Sequence, residues 1–202
     1  MKYNEQVSIA DSVKIGKNFV VWEFTKIREF VEIGDNVNIG RNVYIGPGTI
    51  LKNSVKIQNN SLIYEPSIIE EGVFIGPGVI LTNDKYPRAI NENMTKKNES
   101  DWSKLGVVIE KGASIGAGSL IVAPIKIGQW SMVGAGSVVL KNVNDYSLVF
   151  GNPAKHIAWV GRSGVKLNKL SETDSNIYIC PMTNDKYIEI ENNKLEYMGK
   201  DK

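Results

Sequence analysis

This sequence predicts an all-β fold, a parallel β-helix of stacked short strands, on three observations. An aliphatic residue recurs at every sixth position, a small or β-branched residue follows four places later, and glycine often stands directly after the aliphatic one. The first series runs Ile9, Ile15, Val21, Ile27, Ile33, Ile39, Ile45, Leu51, Ile57, Ile63, Ile69, Ile75 and Leu81 without a miss. Its companions include Val13, Thr25, Val31, Val37, Val43, Thr49, Val55, Ser61, Ser67, Val73 and Val79, with Gly16, Gly34, Gly40, Gly46 and Gly76 at the bends.

A period of six suits neither an α-helix at 3.6 nor a long alternating strand. Each unit is therefore a short strand plus a turn, with the aliphatic side chain pointing inward. Glycine, or Asn/Asp, supplies the permissive backbone at the bend. Three units close a triangular coil, and coils stack at the inter-strand spacing of ~4.8 Å. Such a core exists only by stacking, because one unit alone cannot bury its apolar face.

The phase breaks once. From Leu81 to Ile109 is not a multiple of six; the series then resumes as Ile109, Ile115, Ile121, Ile127, Val133 and Val139, with Ala113, Ser119, Ile125, Ser131 and Ser137 as companions. Two in-phase blocks around an out-of-phase segment predict a regular body with a loop thrown out of it, over 82–108. The loop is polar and carries Asn83, Asp84, Lys85, Tyr86, Arg88, Lys96, Lys97 and Trp102. So long a loop within a compact repeat tends to be functional. Tyr86-Pro87 and Trp102 give it rigid surface, and Trp is poorly suited to free exposure.

From about residue 145 to 170 the chain leaves the repeat, with a turn at Gly151-Asn152-Pro153 and an irregular stretch holding a short helix or strand. Residues 177–198 read as a small β-hairpin appendage with Thr183-Asn184-Asp185 at its tip. The expected division is a β-helix over 1–162 and a C-terminal extension over 163–202.

Composition narrows the function classes. With 202 residues, a net charge of +2 and Lys/Arg spread along the chain, nothing points to nucleic acid. A single cysteine, Cys180, excludes an intrachain disulfide and a cysteine-based metal cluster, and fits a reducing cytosol. The start, MKYNEQVSIADSV, lacks the apolar core of a signal peptide, and no run approaches eighteen apolar residues. The expectation is a cytoplasmic protein with no membrane or nucleic-acid partner and no metal.

The repeats, the polar mid-chain insert and the closing GAGSVV…GNPAK together resemble hexapeptide-repeat acyltransferases, over residues 7 to about 162. Within them, FIGPGVILTNDKYPR at 74–88, ESDW at 99–102 and Val21-Trp22-Glu23-Phe24 are similar to the nucleotide-linked 3-amino-sugar N-acetyltransferases, which serve surface polysaccharide synthesis, including lipopolysaccharide O-antigen. The resemblance implies a left-handed coil, a homotrimer with active sites between neighbouring subunits, acetyl-CoA as co-substrate, and a dTDP- or UDP-linked amino sugar as acceptor. It places Asn83 beside the sugar amine as the catalytic position. It sets the Gly-Ala-Gly turns around Ala117 and Ala135 along the pantetheine arm, and Gly151-Asn152-Pro153-Ala154-Lys155 at the CoA adenine and ribose. By charge, Lys141, Lys155 and Arg162 are the partners for CoA's phosphates.

On the acceptor side, Asp84 or Glu23 would orient the amine. Lys85 or Arg88 would answer a uronate carboxylate. Tyr86 and Trp102 offer aromatic surface, with Trp102 anchoring the loop or stacking on the nucleotide. Phe24 and Trp22 pack at a subunit interface or touch sugar or base.

The only histidine is His156, just beyond GNPAK, where it suits the CoA rim better than the acyl centre. An alcohol acceptor would need such a base; a deprotonated amine is already a nucleophile. Catalysis would then rest on positioning two substrates and on a donor, a turn amide or Asn83, polarising the thioester carbonyl. O-acetylation of a sugar or small hydroxyl compound is the alternative within enzymes, and a non-enzymatic β-helix scaffold the alternative outside them. A zinc-dependent hydratase on this fold would need three histidines.

Overall fold

The computed structural model describes residues 6–170, 176–190 and 194–200. Nineteen strands of two or three residues wind into a parallel solenoid, and the last residue of each is the aliphatic member of the six-residue series. Every third strand stacks on the same face. The first face ladders Ile9, Ile27, Ile45, Ile63, Leu81, Ile121 and Val139. The second ladders Ile15, Ile33, Leu51, Ile69, Ile109 and Ile127. The third ladders Val21, Ile39, Ile57, Ile75, Ile115, Val133 and Val149.

From Ile27 onward these ladders are buried, joined inside by Val31, Val37, Val43, Val55, Val73 and Val79 from the corners. Each such side chain contributes about 1.5–3 kcal/mol by leaving water. Most buried hydroxyls at the corners are bonded, as where Thr25 Oγ1 donates to the Gly40 carbonyl at 2.8 Å and accepts from Val43 N at 3.1 Å, whereas Thr49 Oγ1 has no partner among the described residues.

Three corners join the faces, and each repeats along the stack. The residue two places before the inward companion recurs at the corner between first and second faces as Asp11, Glu29, Pro47, Glu65, Asn83, Ala123 and Lys141. Between third and first faces it is Glu23, Arg41, Asn59, Pro77, Ala117 and Ala135. A recurrent device locks neighbouring corners: a side-chain oxygen one coil on accepts the N–H of the corner residue. Asp35 Oδ1 takes Lys17 N at 2.7 Å, Asn53 Oδ1 takes Asp35 N at 2.9 Å, and Asn59 Oδ1 takes Arg41 N at 2.8 Å.

The insert leaves after the strand Ile80–Leu81 and returns at Val107–Ile109, so the phase break in the sequence is a loop at one corner. Inside it, an isolated bridge pairs Ile90 with Lys96, and a 3-10 turn spans Glu99–Asp101, capped by Asn98.

Two expectations about the C-terminal part are corrected. The repeat reaches further than residue 145: Ser147–Gly151 still pairs in parallel with the third face, Val149 opposite Val133, before a hairpin through Gly151-Asn152-Pro153 returns as Ala154–Trp159. Of the short helix or strand expected there, the structure shows strand. The appendage is a four-stranded antiparallel sheet of Asn168–Lys169, Ile177–Ile179, Asp185–Ile190 and Lys194–Lys200, not a lone hairpin. Thr183 and Asn184 lie in the tight turn, with Asp185 opening the next strand. The sheet has its own core of Tyr178, Cys180, Tyr187 and Leu195, packed with Tyr146, Trp159 and Leu167. Aromatic bulk at 146, 159 and 187 joins the sheet to the last coil, which a six-residue period could not foretell.

Candidate active site at the foot of the insert

Asn83 stands where the insert departs, at the corner between first and second faces. Its carbonyl accepts from Leu105 N at 3.0 Å, pinning the two stems of the insert together. The next stem residue, Gly106, lies so tightly on the coil below that a Cβ there would come within 1.6 Å of the Pro66 carbonyl oxygen. Only glycine fits that contact. Beneath Asn83, one rung down the same corner, are Tyr64, Glu65 and Pro66; above it Ala123 N donates to Thr82 Oγ1 at 3.1 Å. Tyr64 leans on Tyr44, ring centroids 5.3 Å apart. The foot of the insert is thus a fixed, partly buried corner rather than a loose flap.

The other expected acceptor residues divide. Asp84 is beside Asn83 and closes a turn by accepting from Tyr86 N at 2.8 Å. Lys85 lies over the Tyr86 ring at 5.4 Å, and Arg88 donates to the Pro87 carbonyl. Tyr86 and Arg88 line an open hollow of about 680 Å³ on the insert itself, with Asn91 and Lys97. Trp102 follows the 3-10 turn, half-buried, with the Lys104 ammonium 5.9 Å from its ring. Glu23 and Phe24 are at a different corner, more than three rungs, ~15 Å, below the level of Asn83. There Arg41 holds the Glu23 carboxylate at 3.4 Å and covers the Phe24 ring at 4.9 Å.

Ala117 and Ala135 stack directly on one another at the corner between third and first faces, as Gly136 N donating to the Ala117 carbonyl at 2.8 Å shows. Both are exposed, and beyond Gly118 and Gly136 there is open space, so this edge is a smooth lane along the coils. At its far end lies an apolar pocket of about 510 Å³ lined by Val139, Leu140, Val143, Val149, Pro153 and Trp159, with Lys141, Lys155 and His156 among its polar walls. Asn152 forms the turn at its rim. Neither Lys141 nor Lys155 is in an ion pair among the described residues. Small side chains leading to an apolar pocket with two uncommitted cations fit an extended pantetheine ending in an adenosine with phosphates.

Arg162 is not part of that group. Its guanidinium is sandwiched between Trp130 at 5.2 Å and Tyr197 at 5.0 Å, tying the C-terminal sheet to the solenoid. His156 does belong to the end pocket: it shares a 2.5 Å hydrogen bond with the buried Ser147 hydroxyl and packs on Trp159. Burial there lowers its pKa below the ordinary 6.5. Burial thus favours the neutral form of the sole imidazole, which sits at the end pocket more than three rungs above the foot of the insert.

Glu65 is the corner neighbour of Asn83 that sequence reading passed over. Laying the chain out in eighteen-residue rows places it directly under Asn83, and that signal was available.

Comparison with known proteins agrees with this architecture. The bacterial transferase hexapeptide model (six repeats) matches residues 12–47 and 106–141, and the hexapeptide repeat of succinyl-transferase matches 30–65. A dTDP-3-amino-3,6-dideoxy-α-D-galactopyranose 3-N-acetyltransferase of Aneurinibacillus thermoaerophilus is 52% identical over 60 residues, 30% of this chain and 31% of the relative. A serine acetyltransferase of Buchnera aphidicola is 45% identical over 60 residues, 30% of this chain and 23% of the relative. The matched region therefore spans about a third or less of these relatives' length.

Among solved structures, a Bacillus cereus chain described as a candidate acetyltransferase is 28% identical, with a TM-score of 0.55 over 80% of this chain and 84% of its own. A mutant of AntD, an N-acyltransferase from Bacillus cereus solved with dTDP-4-amino-4,6-dideoxyglucose and coenzyme A, shares the fold. It is 21% identical, with a TM-score of 0.63 over 74% of this chain and 84% of its own. With its unbroken ladders, its corner insert and these matches, the chain is similar to the hexapeptide-repeat transferases over residues 12–65 and 106–141.

Proposed function

We propose that the protein transfers an acetyl group from acetyl-CoA to the amine of a nucleotide-linked amino sugar, at the 3-position, in the cytoplasmic assembly of surface polysaccharide. The observation that carries the choice of an amine is the position of the single histidine. His156 is bonded to Ser147 in the end pocket, and no imidazole is near Asn83. An alcohol acceptor at the foot of the insert would lack an imidazole base, whereas an amine, once deprotonated, is already a nucleophile. The relative of 52% identity acts on a dTDP-3-amino sugar, which supports the nucleotide and the position.

In this reading the pantetheine arm runs along the Ala117–Ala135 edge, and the adenosine sits in the end pocket against Pro153 and Asn152. Lys141 and Lys155 take its phosphates; Arg162, engaged with Trp130 and Tyr197, does not. Asn83 positions the amine and thioester, with Asp84 supporting it. Lys85, Tyr86, Arg88 and Trp102 bound the acceptor from the insert. Glu23 and Phe24 reach the acceptor's nucleotide end rather than its amine. The outward residues of the first face, Tyr44, Leu62, Ile80, Leu120 and Val138, form a partly exposed apolar strip between these two edges. Burying such a strip between copies supports a trimer whose sites lie between subunits. Among the described residues no helix is long and apolar enough to cross a membrane.

The test is thiol release from acetyl-CoA with a panel of dTDP- and UDP-linked 3-amino, 4-amino and hydroxyl sugars. Turnover confined to a 3-amino sugar is expected. Equal turnover of the hydroxyl analogue would move the reading to O-acetylation, and absence of both turnover and CoA binding would leave a scaffold.

A further inference from the structure

The lane of small residues between third and first faces ends under an aromatic ring. The residue that opens this corner, directly after the inward aliphatic of the third face, is Gly76, Gly116 and Gly134 on successive coils and Phe150 on the last. At Gly76 and Gly116 a Cβ would strike the backbone of the coil above, 2.7 Å from Ala117 N and 2.5 Å from Ala135 N. At Gly134 the nearest atoms are instead those of the Phe150 side chain, so the ring fills the space that glycine leaves. Gly151 N then donates to Ser137 Oγ at 3.2 Å. The chain thus crosses the top of the lane before it reaches Asn152 and Pro153 at the end pocket.

The ring is seated on one side and open on the other. Phe150 is 53% exposed. The rings of Phe24, Tyr86 and Trp102 each have a cation over them, whereas among the described residues no cation or ring lies over Phe150. A cation is nonetheless at hand. Lys155 is the register partner of Phe150 across the hairpin, on the same face of the strand pair, and is in no ion pair among the described residues. Covering the last coil needs only the half of the ring that lies on Gly134. The open half and the uncommitted ammonium beside it suit a purine joined to phosphate. From Pro77, in the coil of Asn83, to Gly151 is three rungs, ~14 Å, a span that an extended pantetheine covers.

We infer that Phe150 is the platform on which the adenine of CoA stacks, at the approach to the end pocket, with Lys155 taking a phosphate beside it. This rests on the acyltransferase reading above and deepens it in two ways. It gives the adenine a planar partner between the lane and the rim residues Asn152 and Pro153. It also commits the enzyme to one class of donor. Phosphopantetheine carried on a protein ends in a serine phosphodiester and gains nothing from the ring, so the donor is a free CoA thioester, which carries the purine.

Calorimetry on the full chain tests this with two ligands, CoA titrated directly and 4′-phosphopantetheine, which lacks the adenosine, by displacement of CoA. Three variants separate the ring from its seat. Phe150→Ala removes both, Phe150→Leu keeps an apolar side chain on Gly134 without a planar face, and Phe150→Trp keeps the face. Phe150→Ala and Phe150→Leu should each weaken CoA by about tenfold, as loss of one base–aromatic stack does. Phe150→Trp should hold CoA within about two-fold of wild type, and all three should bind phosphopantetheine within about two-fold. Unchanged CoA affinity in Phe150→Leu, or equal losses for both ligands, would show that the ring only supports the turn and overturn the inference. A wild-type protein that binds phosphopantetheine as tightly as CoA overturns it as well, while leaving acyl transfer intact. Binding of neither ligand overturns both.

Discussion

The two ends of the solenoid use the same strained backbone position in opposite ways. At the left-handed residue of each corner the chain mostly places asparagine or glycine, as at Asn18, Asn36, Asn42, Asn60, Gly48 and Gly78. Four aromatic residues break this rule: Phe24 and Phe30 near the N-terminal end (φ 62° and 60°), Trp130 and Tyr146 at the other (φ 54° and 58°). A bulky side chain there costs roughly 1–2 kcal/mol. At the C-terminal end the cost is offset within the chain. Tyr146 is buried against Tyr187, ring centroids 5.4 Å apart, and Trp130 carries Arg162 on its face. Phe24 and Phe30 are 47% and 71% exposed; Arg41 lies over the Phe24 ring at 4.9 Å, but among the described residues no ring or cation contact covers Phe30. The contrast teaches that one end of the solenoid is completed by its own chain, whereas the other presents strained aromatics to whatever binds there.

The largest effect should come from removing what completes the C-terminal end. Tyr187 is fully buried, and its hydroxyl accepts from Arg162 N at 2.9 Å. Tyr187→Ala should destabilise the protein by about 4 kcal/mol in chemical denaturation, as large aromatic deletions from a core do. A change below about 1 kcal/mol would mean the sheet contributes little to the solenoid.

A paired substitution reads the comparison more directly. Asparagine is the residue other corners use, so Tyr146→Asn relieves strain but loses packing and should still cost about 2 kcal/mol. Phe30→Asn relieves the same strain with little packing to lose, and should raise stability by about 1 kcal/mol. Destabilisation by Phe30→Asn would show that Phe30 is covered in the native assembly.

The smallest effect concerns the end pocket. His156 is held below its ordinary pKa by burial, so below about pH 6.5 the unfolded chain binds a proton that the folded one resists. Stability is thus fully present above that pH and declines as pH falls through it. In His156→Gln the decline between about pH 6.5 and 5 should be shallower; identical pH profiles would place the imidazole in water.

Much of this was readable from the residues. Every inward aliphatic in the six-residue series is the closing residue of a strand, because position within the repeat alone decides whether a side chain faces the core. The insert was legible as a break in phase. Sequence spacing alone did not reveal that Arg162 serves the C-terminal sheet, since a lone arginine after GNPAK carries no sign of the rings that will enclose it. Nor did Glu65 stand out, since an acidic residue before proline looks like any solvated turn.

The sequence by itself determined the coil, its length and the place where it opens, for these follow from a local period repeated along the chain. Only the tertiary structure decided which corner residues become neighbours across eighteen positions. It set Glu65 over a proline that cannot donate and under Asn83, and it gathered Lys141, Lys155 and His156 around one pocket. Hydrogen-bond satisfaction is a property of stacked coils rather than of any one of them, so a missing partner shows only once the coils are stacked.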